Sequence, residues 1–455
     1  MPFHCEKQES RGECHTAALF LEITGSTGVI MASLLSPPTY TQTYDLNPSV
    51  SVTNIEGRGK GLLATTNVSS STQLFVEQAV VFHRGNFNLD HVSCDCCGKW
   101  LLSEREQLKF ALKHMGVKEP PNNILQQLDP TLPNIIPQTC EGCHLRWCSD
   151  ECRESSHADG HQYLCKQLSV SGKLRKFLAD YSTTTERTFP SAAHFGCAAR
   201  VLAKVAMHTC PETGSSHLKE HSPSQVDLEN KVSFDAAALQ ETMNEIMGSF
   251  FQASFTESLH ATRTSSVTSM SENSMFVEHL QPAYRTAYLE SGLKLFQETF
   301  EPLGTTFRDT LLSDNAFDTL MGIFATNNFA VEFVSPLARL ITFSPVWFKS
   351  LKVQEFPTIR GTACFKHYAI LNHSCDKNTT ATCNNTKTGA LTISVSTTKA
   401  IHEGEEVYNC YLPSPNEMSY KERQVDLCQY MFHCQCSLCA QQKLEQSDSS
   451  SGDDY

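Results

Sequence analysis

The sequence offers no stretch fit to cross a membrane. Its most apolar run, AALFLEITGSTGVIMASLL at 17–35, carries a glutamate and two glycines and has no basic region ahead of it. It reads neither as a span nor as a secretory leader, and no membrane partner is expected. Positive charge is in deficit as well: 36 Lys and Arg against 49 Asp and Glu leave a formal net charge of −13. Coating nucleic acid nonspecifically requires the opposite balance, because phosphates must be neutralised. An acidic chain attracts basic partners instead. No internal repeat is found, so a repeat array is not expected.

What is present is apolar and sulfur-rich. The 455 residues are 40% hydrophobic, with 26 Phe and 20 Cys. That length exceeds one minimal domain and can bury a large core. The default location is the nucleus or cytoplasm, where 20 cysteines are better explained by metal than by disulfides. Residues 1–48 are rich in Ser, Thr and Pro and read as flexible, with Cys5 and Cys14 as free thiols. From 52 to 82 the chain reads as β, with LLATT and LFVEQAVVF separated by SSST. HFGCAARVLAKVAMH (194–208) has helical spacing. A second helix carries Leu289, Leu293, Phe296 and Phe300 on one face, and a third is predicted after Asp314 as N-cap. Residues 211–226 and 257–275 read as loops, and 211–275 as a long Ser-rich insertion. LTISVST (391–397) alternates as a half-buried strand does, and HEGEE is the turn before another. The residues from 441 onward are polar and acidic and are predicted to be disordered.

Four close ligand pairs stand between 94 and 165: Cys94 with Cys97, Cys140 with Cys143, Cys148 with Cys152, and His161 with Cys165. Two intervening residues let both thiolates reach one ion across a tight turn, and three put both ligands on one helix face. Thiolates and imidazole in fours indicate tetrahedral zinc, so eight ligands imply two ions. Spacing alone leaves the pairing open. Cys96, inside the first pair, reads as a bystander. With every position filled by protein, the ions are structural. Near the C-terminus CQCSLC supplies Cys434, Cys436 and Cys439, one ligand short of a third ion. Cys375 in LNHSCDKN is the natural fourth, which would clamp the C-terminal segment onto the loop carrying Asn372 and His373.

CDCC…CEGCHLRWCSDEC…HQYLC resembles the MYND zinc finger. That resemblance implies one zinc on Cys94, Cys97, Cys148 and Cys152, and another on Cys140, Cys143, His161 and Cys165. LNHSCDKN, HEGEEVYNCYL and FHCQCSLC, with GRGKGLLATTNV at 57–68, are similar to the signature of SET-domain protein-lysine methyltransferases. A MYND finger inserted into a SET domain is the mark of the SMYD family, and the short acidic tail resembles the fifth member of that family. The implied fold is α+β: a SET-domain β-clip with a pseudoknot, split by the finger, with a helical I-SET insertion and a zinc-binding post-SET segment. The implied boundaries are a flexible segment 1–48, N-terminal SET 49–92, finger 93–166, helical insertion 167–320, C-terminal SET core 321–413, post-SET 414–441 and tail 442–455.

The implied reaction is methyl transfer from S-adenosylmethionine to a lysine amine, with three zinc ions in the fold. By the same resemblance Gly57, Gly59 and Gly61 let the cofactor approach the backbone, with Lys60 in their loop. Asn372 and His373 contact the cofactor, Asn327 or equally Asn328 adds a contact, Tyr411 is the catalytic tyrosine, and Phe432 packs on the cofactor or the lysine channel. Lys377 stands where the family has proline, which is expected to loosen the turn. The expected substrate is a histone or another basic protein such as a ribosomal protein, and the expected state a monomer. MYND modules commonly bind short proline-containing peptides, which makes such a peptide an expected partner. No basic helix accompanies the finger, so sequence-specific DNA reading is not expected. The competing reading is a SET/MYND adaptor that no longer turns over.

Overall fold

The structure is a computed structural model, and it describes residues 30–31, 46–85, 92–114, 122, 126, 128, 135–169, 171–184, 192–210, 233–258, 291–335, 337, 358–385 and 390–449. Alternation of apolar and polar residues builds several of its strands. In FAVEFV, Phe329, Val331 and Phe333 are buried and the residues between them half-exposed, the period-two pattern of a strand with one face on a core. LTISVST likewise buries Leu391, Ile393 and Val395. In chain order the strands are β1 (Ile30–Met31), β2 (Val50–Ile55), β3 (Gly59–Ala64), β4 (Gln73–Gln78), β5 (Val81–Arg84), β6 (Gln138–Thr139), β7 (Arg146–Trp147), β8 (Phe329–Val334), β9 (Thr358–Cys364), β10 (Asn372–His373), β11 (Thr379–Asn385), β12 (Leu391–Thr397) and β13 (Glu406–Asn409).

These strands form several small sheets: β1-β8-β9-β5, β10-β13-β3-β2, β11-β12-β4 and the ribbon β6-β7. β3 pairs antiparallel with β13, and β4 with β12. The sheet core is thus assembled from both ends of the sequence, with residues 92–328 inserted between. The NHSC loop and the strand before Tyr411 lie side by side. β10 runs parallel to β13, with Asn372 opposite Tyr408 and His373 opposite Asn409. Asn378 accepts from the Tyr408 N–H at 2.7 Å and donates to the Glu406 carbonyl at 2.9 Å. The turn with Lys377 in place of proline is therefore held by side-chain hydrogen bonds from the residue that follows it.

The inserted helices pack around Ala192–Thr209, in which 13 of 18 residues are buried. A helix apolar on every side belongs in the middle of a core, and its alanines let neighbours approach closely. At Gly196 any side chain would strike the His83 ring of β5. Phe296, Phe307 and Phe317 are fully buried in the same cluster. Leu293 and Phe300 are buried beside Phe296, as the helical face required, while Leu289 lies outside the described residues.

Several boundaries differ from expectation. Ser313, not Asp314, caps the third helix, its hydroxyl accepting from Ala316 N–H. Asp314 is the first helical residue, where its charge suits the positive end of the helix dipole. The tail is not wholly disordered, because the helix Ser437–Ser449 runs on from the last cysteines. Segment 1–48 contributes the short edge strand β1 beside Val331 and Glu332. Within 211–275 stands the helix Ala236–Met247, capped by the Asp235 carboxylate. Residues 1–29, 32–45, 211–232, 259–275 and 450–455, with Cys5 and Cys14, lie outside the described residues. Among the described residues no helix is long and apolar enough to cross a membrane.

A buried ion cluster fastens the cysteine-rich insertion to this framework. Asp95, inside the first cysteine pair, has a side chain only 3% exposed. Arg84 of β5 donates to it at 3.1 Å, and Arg200 of the central helix donates to both its oxygens at 2.8 Å. Burial works against ionisation, but the Arg200 and Arg84 guanidiniums hold the carboxyl well below the usual carboxylate range. Asp95→Asn should destabilise the zinc-loaded protein by about 3–5 kcal/mol, because it leaves two guanidiniums without their counter-charge. Chemical denaturation followed by tryptophan fluorescence measures this, and a loss under about 1 kcal/mol would mean that the pairing is as weak as an exposed one.

Candidate active site and metal centres

The hairpin between β2 and β3 forms one wall of a large cavity. Ile55 pairs with Gly59, leaving Glu56-Gly57-Arg58 as the loop, closed by Arg58 N–H donating to the Ile55 carbonyl at 3.0 Å. Gly57 and Gly59 adopt φ of 71° and 74°, a backbone state that suits glycine. Both line the cavity, with Arg58 and Lys60, and its volume is about 740 Å³. That is the size of a cofactor or drug-sized ligand site. Gly61 serves a different end from the one expected. It does not line the cavity, and a Cβ there would lie 2.9 Å from the Asn372 amide nitrogen and strike Ile55. Its missing side chain lets β3 lie against Asn372.

Asn372 and His373 line the same cavity. The Asn372 amide donates to the Lys60 carbonyl at 3.2 Å and to Glu406 at 2.8 Å. Glu406 also accepts from Arg58 at 3.1 Å. One buried carboxylate thus ties the hairpin tip to the NHSC loop, a link the sequence reading missed. His373 Nδ1 accepts from the Tyr411 N–H at 2.9 Å, so the ring proton sits on Nε2, which is 3.4 Å from Cys375 Sγ. Burial pushes the His373 pKa down to about 4, so the ring is neutral.

The Tyr411 hydroxyl donates to the Leu371 carbonyl at 2.7 Å. Its ring lies 4.8 Å from Tyr430 and 6.2 Å, edge to face, from Phe432. Met431 between those two aromatics takes φ of 60°, a strained state for a side-chain-bearing residue. Behind Tyr411 is a narrow pocket of about 30 Å³, bounded by Tyr368, Asn409, Tyr411 and Tyr430, with Thr326, Asn327 and Ala369 shared with the large cavity. Burial raises the Tyr411 and Tyr368 phenols, so both stay protonated at neutral pH. Tyr408, three residues before Tyr411, does not line this pocket: its ring sits under Arg58, 5.4 Å from the guanidinium carbon. Tyr368 and Tyr430 went unread in the sequence because neither lies in a quoted motif, and Asn409, inside HEGEEVYNCYL, because nothing local shows what it faces.

Asn327 lines both spaces, but its amide is committed to protein. It accepts from Phe251 N–H and donates to the Phe251 carbonyl and to Ile323. Asn328 donates to His194 Nε2 at 2.8 Å and to the Phe324 carbonyl. Neither amide is turned toward a cofactor, as either was expected to be.

The predicted metal ligands gather in three quartets: Cys94, Cys97, Cys148 and Cys152; Cys140, Cys143, His161 and Cys165; Cys375, Cys434, Cys436 and Cys439. Ligand atoms within each lie within 4.8 Å of one another. Sulfurs around tetrahedral zinc are about 3.8 Å apart, given bonds of about 2.3 Å. The separations fit: 3.7 Å for Cys97–Cys148, 3.4 Å for Cys140–Cys165 and 3.6 Å for Cys375–Cys439. In each quartet hydrogen bonds from neighbouring thiols pull one sulfur, Cys148, Cys140 or Cys436, toward the thiolate. All three could hold zinc. The third has a supporting shell the sequence did not announce. Arg423 donates to Cys439 Sγ at 3.7 Å, and Gln424 holds both the Cys434 N–H and the Cys434 carbonyl. Such partners orient ligands and stabilise their charge.

A family model described as the SET domain matches residues 59–412. The chain belongs to the SET-domain family. Among curated proteins it is similar to Protein-lysine N-methyltransferase SMYD4 of Mus musculus, 35% identical over 88 residues, covering 18% of this chain and 10% of that protein. Protein-lysine N-trimethyltransferase SMYD5 of Gallus gallus is 30% identical over 111 residues, covering 24% of this chain and 25% of that one. SMYD4 of Homo sapiens is 38% identical over 80 residues, covering 17% and 9%. These relatives support the SMYD branch, including its SMYD5-like members, and the chain spans between about a tenth and a quarter of their length. A solved structure, "Crystal structure of the SET domain of LSMT bound to Lysine and AdoHcy", covers 87% of this chain and 54% of its own, at 12% identity and a TM-score of 0.28.

Freshly purified protein should contain three zinc ions per chain by elemental analysis, and Cys375→Ser two. Chelation should free the segment from 414 onward to proteolysis, because metal affinity is folding energy for such a clamp. Two ions or fewer in the unaltered protein would sink the third site.

Proposed function

We propose that the chain is an S-adenosylmethionine-dependent protein-lysine N-methyltransferase acting on a histone or another basic protein such as a ribosomal protein. The observation that carries this reading is the Tyr411 hydroxyl, fixed on the Leu371 carbonyl between a wide cavity and a narrow tyrosine-walled pocket. The wide side, with Gly59, Lys60, Asn372, His373 and Phe432, suits the cofactor. The narrow side suits an alkylamine entering from the opposite direction.

The cofactor supplies an electrophilic methyl on a sulfonium sulfur. When bound, it would give that methyl to the neutral lysine amine, releasing S-adenosylhomocysteine and, from the product, a proton to solvent, and the residues of the two spaces would hold amine and methyl in line. Apolar walls favour the neutral amine needed for attack, because desolvation lowers its pKa. Tyr411 contributes geometry: a phenol kept protonated by burial is an orienting hydrogen-bond partner and a poor general base. The two quartets around 94–165 act as a MYND finger, a docking site for a proline-containing peptide, and the third acts as the post-SET clamp. The protein works as a monomer in the nucleus, the cytoplasm or both.

Transfer of labelled methyl to core histones and to whole-cell extract should be measured beside Tyr411→Phe. A loss of roughly 10²-fold or more is expected on removing the hydroxyl. Undiminished transfer in the variant would remove Tyr411 from the reaction. No transfer from folded, zinc-loaded protein would leave a non-catalytic adaptor.

A further inference from the structure

Phe251 combines two features that do not ordinarily go together. Its side chain is 53% exposed, and its backbone is held on both sides by one buried amide. Asn327, 7% exposed, accepts from the Phe251 N–H at 3.0 Å and donates to the Phe251 carbonyl at 2.9 Å. An asparagine amide offers a donor and an acceptor in the arrangement of a peptide group, so it holds residue 251 as a neighbouring strand would. The segment that follows is laid along the same helix, Asp314–Asn327. The Thr256 N–H bonds to Asp318 at 3.2 Å. At Gly322 a side chain would collide with the Ala253 carbonyl, so glycine lets the loop lie directly on the helix. Asp318 and Gly322, four residues apart, share one helix face, and Asn327 is the last residue of the same helix.

The exposure of Phe251 is therefore not the looseness of a free loop. Among the described residues three large apolar side chains are exposed, Val52, Ile136 and Phe251, and of these Phe251 lines the large cavity. It does not border the narrow pocket behind Tyr411. Phe251 thus borders the cofactor side of the site and not the side where the methyl is transferred. A flat apolar surface in that part matches a flat aromatic ligand group, and the adenine is the planar part of the cofactor.

We propose that Phe251 is a binding residue for the cofactor's adenine, and that Asn327 is a positioning residue that sets the Phe251 backbone. The inference rests on the methyltransferase reading above. Stacking of a base on an aromatic ring is worth enough that Phe251→Ala should weaken binding about tenfold or more.

The test is calorimetric titration of the zinc-loaded full chain with S-adenosylhomocysteine, with KM for core histones measured in parallel. Phe251 is an exposed residue, so its variants should fold, and melting curves check this. Phe251→Ala should raise Kd for S-adenosylhomocysteine with little change in KM for histone. Phe251→Trp should restore affinity, while Phe251→Leu, apolar but not flat, should not. Asn327→Asp keeps the acceptor and loses the donor, and should weaken binding in the same direction. On the Phe251→Ala background it should add little, as expected of residues acting through one contact. Unchanged Kd in Phe251→Ala with a raised KM for histone would assign the ring to the protein substrate and overturn the proposal alone. An additive Asn327→Asp effect would overturn the positioning role. Failure of the unaltered protein to bind S-adenosylhomocysteine would overturn both this proposal and the cofactor reading beneath it.

Discussion

The sulfur quartet of Cys375, Cys434, Cys436 and Cys439 is the constraint on which the site depends. It joins a loop in the sheet core to a segment some 60 residues later, and the aromatic cluster follows from that junction. Tyr430 and Phe432 reach Tyr411 and His373 because the cysteines just after them are tied to Cys375. His373 sits between the two systems, accepting from Tyr411 on one nitrogen and facing Cys375 with the other. A metal held there would set the tyrosine through a single neutral imidazole.

Elsewhere the same economy recurs in uncharged or singly charged form. One carboxylate, Glu406, gathers Arg58 and Asn372 so that the glycine hairpin and the NHSC loop form a single wall. One amide, Asn327, sets the loop at 250–252. One buried carboxylate, Asp95, binds two guanidiniums and fixes the cysteine-rich insertion against the central helix. Each is a polar group removed from water and fully used. Loss of a partner there costs more than loss of a surface contact, since the remaining group stays buried and unsatisfied.

Much of this was legible in the residues. Ligand spacing carried eleven of the twelve candidate ligands, because thiolates on one ion must come from turns and helix faces with fixed offsets, and the incomplete third set pointed to Cys375. Alternation carried β12. The reading failed where a residue's work depends on what lies across from it. Asn327 and Asn328 looked equivalent as cofactor contacts, yet one holds a loop and the other a histidine. Gly61 looked like a cofactor glycine and is a packing glycine. Tyr368, Tyr430, Arg423 and Gln424 carry no spacing signal at all.

The sequence by itself determined which residues can chelate together and which segments alternate, since these follow from covalent geometry over a few positions. Tertiary structure alone decided which polar side chains face a ligand and which are spent on the backbone. That choice turns on the meeting of segments as far apart as Arg58 and Glu406, 348 positions along the chain. No local pattern encodes such a meeting, because it is fixed by the packing of the whole core.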